Sequence, residues 1–268
     1  MNKTIGFIGG GNMGQAMIGG ILKSKLVNPK DITVADLDTN KLKQIANDFN
    51  INTTTDSTEL AKKADILILS IKPNIYNIVL NQIKDIINSN QLIITIAAGK
   101  SISDIESILG TDKNIVRTMP NTPALVGEGM SALCPNKNIN EEHLNIAKSI
   151  FASFGKTEVV PEYLIDSVIG VSGSAPAYVF MFIEAMADAA VLGGLPRDKA
   201  YVFAAQAVLG SAKMVLETGK HPGELKDMVC SPGGTTIEAV ASLEKTGMRS
   251  SIIESIKVCM EKSKDMTK

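Results

Sequence analysis

Two glycine-rich stretches, far apart in the chain, carry the residue types that hold anions. The first, Gly9-Gly10-Gly11-Asn12-Met13-Gly14, has the spacing GxGxxG; it follows the apolar run Ile5–Ile8, opens a stretch of helical period, and is followed by Asp36 at the end of the next apolar run. In a βαβ unit this order puts Gly9 in a tight turn, lets the backbone at Gly11 approach a pyrophosphate, and leaves room at Gly14 for close packing of helix on strand. The amides at the start of the helix, at Asn12 and Met13, then face the phosphates. Asp36 stands where a carboxylate accepts hydrogen bonds from both adenine-ribose hydroxyls and repels a 2′-phosphate, so the cofactor is NADPH or NADH with a lean towards NADH. The arginines are Arg117, Arg197 and Arg249, none near that position, although Lys41 and Lys43 follow it closely.

The second stretch is Ser231-Pro232-Gly233-Gly234-Thr235-Thr236. A turn of Pro-Gly-Gly running into hydroxyl residues at a helix start makes several backbone amides converge on one point, which suits a carboxylate. One anion site for a dinucleotide and another for a small acid indicate a reductase or dehydrogenase. Three further turns, Lys72-Pro73, Ala97-Ala98-Gly99 and Asn121-Thr122, end apolar runs with small or rigid residues that let a nicotinamide ring lie flat. The chain has only 2 histidines, and both His143, in a polar helix start, and His221, before a proline, read as structural. Alcohol dehydrogenation needs a base or a metal for the hydroxyl proton. Reduction of a C=N bond asks mainly for orientation and one hydrogen-bond donor, a task open to a threonine.

The elements that must position these residues follow from periodicity. Up to about residue 160, apolar runs at Ile5–Ile8, Ile32–Ala35, Ile66–Ile71, Leu92–Ile96 and Ile115–Thr118 alternate with helical stretches at 12–25, 39–48, 74–87 and 101–109, and Met130–Leu133 and Thr157–Val160 add edge strands. The runs are apolar on both faces, as in a parallel sheet covered by helices. Beyond Pro161 the pattern is helical throughout. The expected class is therefore α/β, an N-terminal Rossmann domain with a mostly parallel, doubly wound sheet over residues 1–161, followed by an all-α domain over 162–268. Residues 176–192 are apolar on nearly every face, which requires burial against a second copy of the chain and predicts a homo-oligomer.

Composition narrows the partners. With 27 basic and 28 acidic residues the net charge is −1, which gives no footprint for nucleic acid or an anionic membrane. Glu184, Asp188 and glycine or proline positions make the apolar stretch 175–195 a poor bilayer helix, and no leader is read at Met1-Asn2-Lys3-Thr4. The 3 cysteines, Cys134, Cys230 and Cys259, form no CxxC pair, so no metal site is expected and free thiols in a reducing cytoplasm are the simplest reading.

Across essentially its whole length the sequence resembles the Δ1-pyrroline-5-carboxylate reductases, the last enzymes of proline biosynthesis. The resemblance rests on residues 5–14, on Arg117-Thr118-Met119-Pro120-Asn121-Thr122-Pro123, on Val171-Ser172-Gly173-Ser174-Ala175-Pro176-Ala177-Tyr178, and on residues 225–236. It implies dimerisation through the helical domain, often within a larger ring of dimers, and a substrate that is a cyclic imine bearing a carboxylate. It also implies that the backbone around Ser231, Gly233, Gly234 and Thr235 binds that carboxylate, that Ser172 and Gly173 lie beside the substrate, and that Thr236 is the catalytic hydroxyl near the ring nitrogen. The family commonly uses NADPH and often lacks an acid at the end of the second strand, so Asp36 is a departure from its pattern. Two alternatives stand beside this reading: a β-hydroxyacid dehydrogenase relative, whose family places a lysine on a helix where residues 172–192 have none, and a non-catalytic NAD(P)H-binding sensor.

Overall fold

The structure is a computed structural model and describes residues 1–266. It divides into two compact units, Met1–Gly173 together with the described residues from Cys259 onward, and Ser174–Val258. The first unit is built on eight strands: β1 (Ile5–Ile8), β2 (Ile32–Ala35), β3 (Asn52–Thr54), β4 (Ile66–Leu69), β5 (Leu92–Thr95), β6 (Asn114–Met119), β7 (Gly129–Pro135) and β8 (Gly155–Val159). Their order is β3-β2-β1-β4-β5-β6-β7-β8, and every neighbouring pair is parallel except β6 and β7. The first six positions have the strand order of dinucleotide-binding sheets.

Alternation of side chains explains the two layers of helix. Along β4, Ile66 and Ile68 enter one core with Phe7, with Met17 and Ile18 of α1 (Asn12–Lys23), with Ile45 of α2 (Thr39–Phe49) and with Phe151. Leu67 and Leu69 enter the other with Leu60 of α3 (Ser57–Lys63), Tyr76 and Leu80 of α4 (Tyr76–Ile83) and Ile105 of α5 (Ile102–Leu109). A strand buried on both faces has no polar side to show, which is why these runs read as continuously apolar. The helix α6 (Glu141–Ala152), which carries Phe151, connects β7 to the edge strand β8.

Composition changes at residue 161, but the compact units part at Gly173. The reason is that α7 (Ile165–Val168) and the π-helical turn Ile169–Gly173 pack on the sheet: Ile165 is buried in the second core, and Glu162 accepts hydrogen bonds from the Ile102 amide (2.7 Å) and from Arg117 Nη1 (2.8 Å). Arg117 is only 4% exposed, and Glu162 is the carboxylate in direct contact with its guanidinium.

The second unit is helical, with α8 (Ala175–Leu192), α9 (Arg197–Thr218), α10 (Pro222–Val229), α11 (Thr235–Thr246) and the start of α12 (Met248–Met266). α8 and α9 pack on each other, and the side chains buried there are the small ones, Ala187, Ala200 and Ala204. Larger apolar groups stay exposed, among them Phe180 at 63%, Met181 at 69%, Val202 at 68% and Phe203 at 67%. Full burial of such a side chain contributes about 1.5–3 kcal/mol, so these helices demand cover. By length and composition the helical run Glu162–Leu192 is apolar enough to cross a membrane, with a mean hydropathy of 1.5. That differs from the expectation drawn from Glu184 and Asp188, because those two charges are too few to lower the average; a helix covered by a second copy has the same composition.

Replacing Glu162 by alanine is expected to destabilise the protein by about 3 kcal/mol, since it leaves the buried guanidinium of Arg117 unpaired. Denaturant titration of the E162A variant checks this; a loss within about 0.5 kcal/mol of zero would show that water compensates Arg117.

Candidate functional site

The sheet register brings the carboxyl ends of the central strands to one edge: Ile8 pairs with Ala35 and Leu69, Leu69 with Thr95, and Thr95 with Arg117. The residues that follow the ends of β1, β2, β4 and β5 are Gly9, Asp36, Ser70 and Ile96, and β6 runs on to Met119 before its loop. The expected cofactor residues Gly9, Gly11 to Gly14, Asp36, Lys72, Pro73, Ala97 to Gly99, Asn121 and Thr122 therefore lie along one rim of the first unit.

At the β1–α1 turn the glycines have separate reasons. Gly9 has φ +101, and a Cβ there would stand 2.5 Å from the Ser70 carbonyl oxygen, so only glycine fits. A Cβ on Gly14 would meet Ser70 Oγ at 3.0 Å and the Gly9 carbonyl at 3.1 Å, which is the close helix–strand packing expected of it. Gly11 is different: it is the N-cap of α1, it is exposed, and a Cβ there would meet nothing within 4 Å. No side-chain hydrogen bond caps α1, which leaves its first amides without a side-chain partner, the arrangement found where helix starts hold anions. Asn12 is exposed in front of this turn, whereas Met13 packs its side chain against the core and offers the site its backbone.

Asp36 is more occupied than the open ribose carboxylate expected from sequence. Its Oδ2 accepts from the Gly10 amide (2.9 Å) and from Lys41 Nζ (3.0 Å), and its Oδ1 accepts from the Asp38 amide (3.0 Å). Burial raises its pKa, but the amides of Asp38 and Gly10 and the Lys41 ammonium outweigh burial and hold the carboxyl below the usual aspartate range. Sequence reasoning also missed two side chains that hold the turn: Ser70 Oγ donates to the Gly9 carbonyl (2.5 Å), and Gln15 Nε2 donates to the Gly10 carbonyl (2.8 Å). Nothing short of the strand pairing identifies Ser70, because it lies 61 residues from Gly9.

Lys72 and Pro73 are exposed at the end of the β4 turn, and Ala97 is buried, with its amide 3.3 Å from Thr95 Oγ1. Thr122 is exposed at the start of a short 3-10 turn. Asn121 is spent inside the protein. Its Oδ1 accepts from the Met130 amide (2.8 Å), and its Nδ2 donates to Ser172 at the carbonyl (3.2 Å) and at Oγ (3.3 Å). It therefore ties the loop after β6 to the π turn that carries Ser172 and Gly173. A Cβ on Gly173 would reach Met119 Cε at 2.9 Å, so these two segments touch closely.

Ser231, Gly233, Gly234, Thr235 and Thr236 lie in the helical unit. Gly233 has φ +68, the Gly234 amide donates to the Ser231 carbonyl (3.0 Å), and a Cβ on Gly234 would stand 2.3 Å from Ser231 Oγ. Gly234 is the N-cap of α11, and again no side chain caps the helix. The loop is exposed, with Thr236 half-buried. His221 is structural, since its Nδ1 accepts from the Gly223 amide (3.1 Å) and caps α10. Among the described residues no group of three or more His, Cys, Asp or Glu side chains is placed to hold a metal ion.

Gly9 and Gly11 should separate fold from binding. Gly9→Ala is expected to cost about 2 kcal/mol or more and to lower Tm by about 5 °C. Gly11→Val is expected to melt like the parent protein and to lose NADH binding, read by quenching of nicotinamide fluorescence. A Gly11→Val protein that binds NADH normally would remove this turn from the site.

Comparison with known proteins gives the family. Residues 162–266 match the pyrroline-5-carboxylate reductase dimerisation family, and residues 4–99 match the coenzyme F420-dependent NADP oxidoreductase family. The chain is 53% identical to the pyrroline-5-carboxylate reductase of Escherichia coli over 268 residues, with 100% of both chains covered. It is similar to the solved structure of a pyrroline-5-carboxylate reductase from Coxiella burnetii, with a TM-score of 0.94 at 34% identity and 100% of both chains covered. It is also similar to the Plasmodium falciparum pyrroline carboxylate reductase solved with NADP bound, with a TM-score of 0.90 at 34% identity, covering 100% of this chain and 99% of that one. The chain belongs to the pyrroline-5-carboxylate reductase family.

Proposed function

We propose that this chain reduces the cyclic imine Δ1-pyrroline-5-carboxylate to L-proline with NAD(P)H, the final step of proline biosynthesis. The observation that carries the reading is 53% identity, along the full length, to an enzyme of that name, with both glycine-rich stretches intact. When bound, the dinucleotide would supply hydride from nicotinamide C4 to the C=N carbon of the imine. The chain's own residues bind and orient. The uncapped amides of α1, with the space in front of Gly11, take the pyrophosphate, and Ala97, Ala98, Gly99, Lys72, Pro73 and Thr122 form the rim on which the ring lies. The amides at the start of α11, with Ser231, Gly233, Gly234 and Thr235, take the substrate carboxylate. Thr236 places its hydroxyl at the ring nitrogen, and Ser172 and Gly173, fixed by Asn121, lie beside the substrate.

As hydride adds to the C=N carbon of the protonated imine, the π electron pair passes to nitrogen as the amine lone pair, and nitrogen keeps the proton it took from solvent. A protonated iminium is electrophilic without an acid catalyst, so the absence of a free histidine from this reading is no obstacle. A β-hydroxyacid dehydrogenase relative would carry a catalytic lysine on a helix where residues 172–192 have none. A mere sensor has no use for a carboxylate nest with an adjoining hydroxyl.

The cofactor is NAD(P)H, and Asp36 leans the choice towards NADH. The protein is a homo-oligomer through its helical unit, and its dimers join in a ring. With its reduced cysteines and its biosynthetic role it works in the cytoplasm, away from membranes and nucleic acid.

Thr236→Ala is expected to lower kcat roughly 10-fold or more, followed as loss of absorbance at 340 nm, with the dissociation constant for NAD(P)H unchanged. Near-normal turnover would take Thr236 out of the mechanism. Light scattering should give a mass of two copies or more, and Phe180→Glu should shift it towards the monomer. A parent protein that stays monomeric would overturn the interface, while a mass that stops at two copies would remove the ring alone.

A further inference from the structure

We propose that Lys41 is a specificity-determining residue for the cofactor, an ammonium that Asp36 holds away from a 2′-phosphate. The proposal rests on the reading of the β1–α1 turn as the dinucleotide site and extends it to the choice between the two dinucleotides.

Lys41 is in the first turn of α2, where the positive end of the helix dipole disfavours a cation. Its place is maintained by Asp36, whose Oδ2 lies 3.0 Å from Nζ. The lysine side chain is 36% exposed and the aspartate 14%, so the lysine is the more accessible partner of the pair. No arginine is near in sequence, and among the described residues Lys41 alone forms an ion pair with the carboxylate, although Lys43 stands two residues on.

The hydrogen bonds of the carboxylate set the arithmetic of recognition. An ionised carboxylate oxygen accepts about two hydrogen bonds. Oδ2 has two, from Gly10 and Lys41, while Oδ1 has one, from Asp38. With Lys41 in place, only one position remains for a ribose diol that offers two hydroxyls; the second opens when Lys41 leaves. For a ligand with a plain ribose, Lys41 is a competitor. A 2′-phosphate reverses the sign. It brings a second, larger negative charge to a carboxylate that is held ionised, and Lys41 is the cation at hand to compensate it. Lys41 and Asp36 thus act in opposite directions on the same choice. Neutralising Asp36 frees Lys41 for the phosphate, and removing Lys41 frees Asp36 for the diol.

The test titrates NADH and NADPH by fluorescence into the full-length wild type, Lys41→Ala, Asp36→Asn and the double variant, with thermal melts alongside. Lys41→Ala touches the exposed half of the pair, and Asp36→Asn keeps a carbonyl oxygen for the Gly10 amide, so the set does not depend on one variant folding. Lys41→Ala should weaken NADPH roughly 10-fold or more and leave NADH unchanged or tighter. Asp36→Asn should tighten NADPH and weaken NADH, and the double variant should lose the NADPH gain of Asp36→Asn. Equal effects of Lys41→Ala on both cofactors, or a double variant that keeps the gain, would overturn the proposal while the site stands. A folded wild type that binds neither dinucleotide would instead overturn the site, and this inference with it.

Discussion

A turn made of three glycines has no side chains with which to hold itself, and the first unit is arranged around that deficit. The backbone at Gly9–Gly11 is fixed from outside: the Gly9 amide donates to Ala35 O (2.8 Å), Ser70 Oγ donates to Gly9 O (2.5 Å), Gln15 Nε2 donates to Gly10 O (2.8 Å), and Asp36 accepts from the Gly10 amide (2.9 Å). These partners come from β1's two neighbours in the sheet and from the helix that the turn opens. Only a parallel arrangement puts the ends of β2 and β4 on either side of the end of β1. The strand order is therefore a condition of the turn's geometry as much as of the core.

A second constraint acts where strands give way to helices. Glu162 accepts from both Arg117 and the Ile102 amide, so one carboxylate ties β6, α5 and the first residues of the helical half together. Asn121 repeats the device a few residues later by joining the loop after β6 to Ser172. Both ties act within the first unit, and they explain why residues 162–173 pack as part of the sheet although their composition is that of the helices. The helices beyond them are unsatisfied in another way, since α8 and α9 bury alanines and leave phenylalanines exposed. For a family that dimerises through this region, that exposure is the monomer's share of an interface.

Much of this was legible in the sequence, because burial on both faces leaves a plain mark. β1, β4 and β5 are wholly buried and read as continuous apolar runs, and the glycine spacing located the first turn. β3 escaped notice for the complementary reason: Asn52-Thr53-Thr54 is a polar edge strand whose place is set by pairing with β2. Helix α3, which follows it, is short and carries only Leu60 and Ala61 into the core, too little for a periodic signal. What sequence cannot show is how a polar group divides its hydrogen bonds. Asp36 was rightly placed at the end of β2, but its ties to Gly10, Asp38 and Lys41 depend on three dimensions, as do Ser70's hold on Gly9 and the pairing of Arg117 with Glu162.

The helix starts in this chain fall into groups that bear on its chemistry. α2, α3, α5 and α6 are capped by the side chains of Asp38, Asp56, Ser101 and Asn140, and α10 by His221. These helices answer their own orphan amides. α1 and α11 begin instead at Gly11 and Gly234, with no side chain on the amides, and they open the two glycine-rich stretches. A glycine N-cap costs a helix only a few tenths of a kcal/mol relative to a serine or aspartate, a small loss of stability for a surface that an anion can approach. The two differ in their surroundings: the space in front of Gly11 is open, whereas Gly234 fits against Ser231 Oγ with no room for a Cβ. An enzyme that hands hydride to an imine has little acid–base work to do and much positioning, of a pyrophosphate at one end and a carboxylate at the other. Two uncapped helix starts on a chain that caps its other helices with side chains or enters them through short turns and prolines are the form that such a task would take.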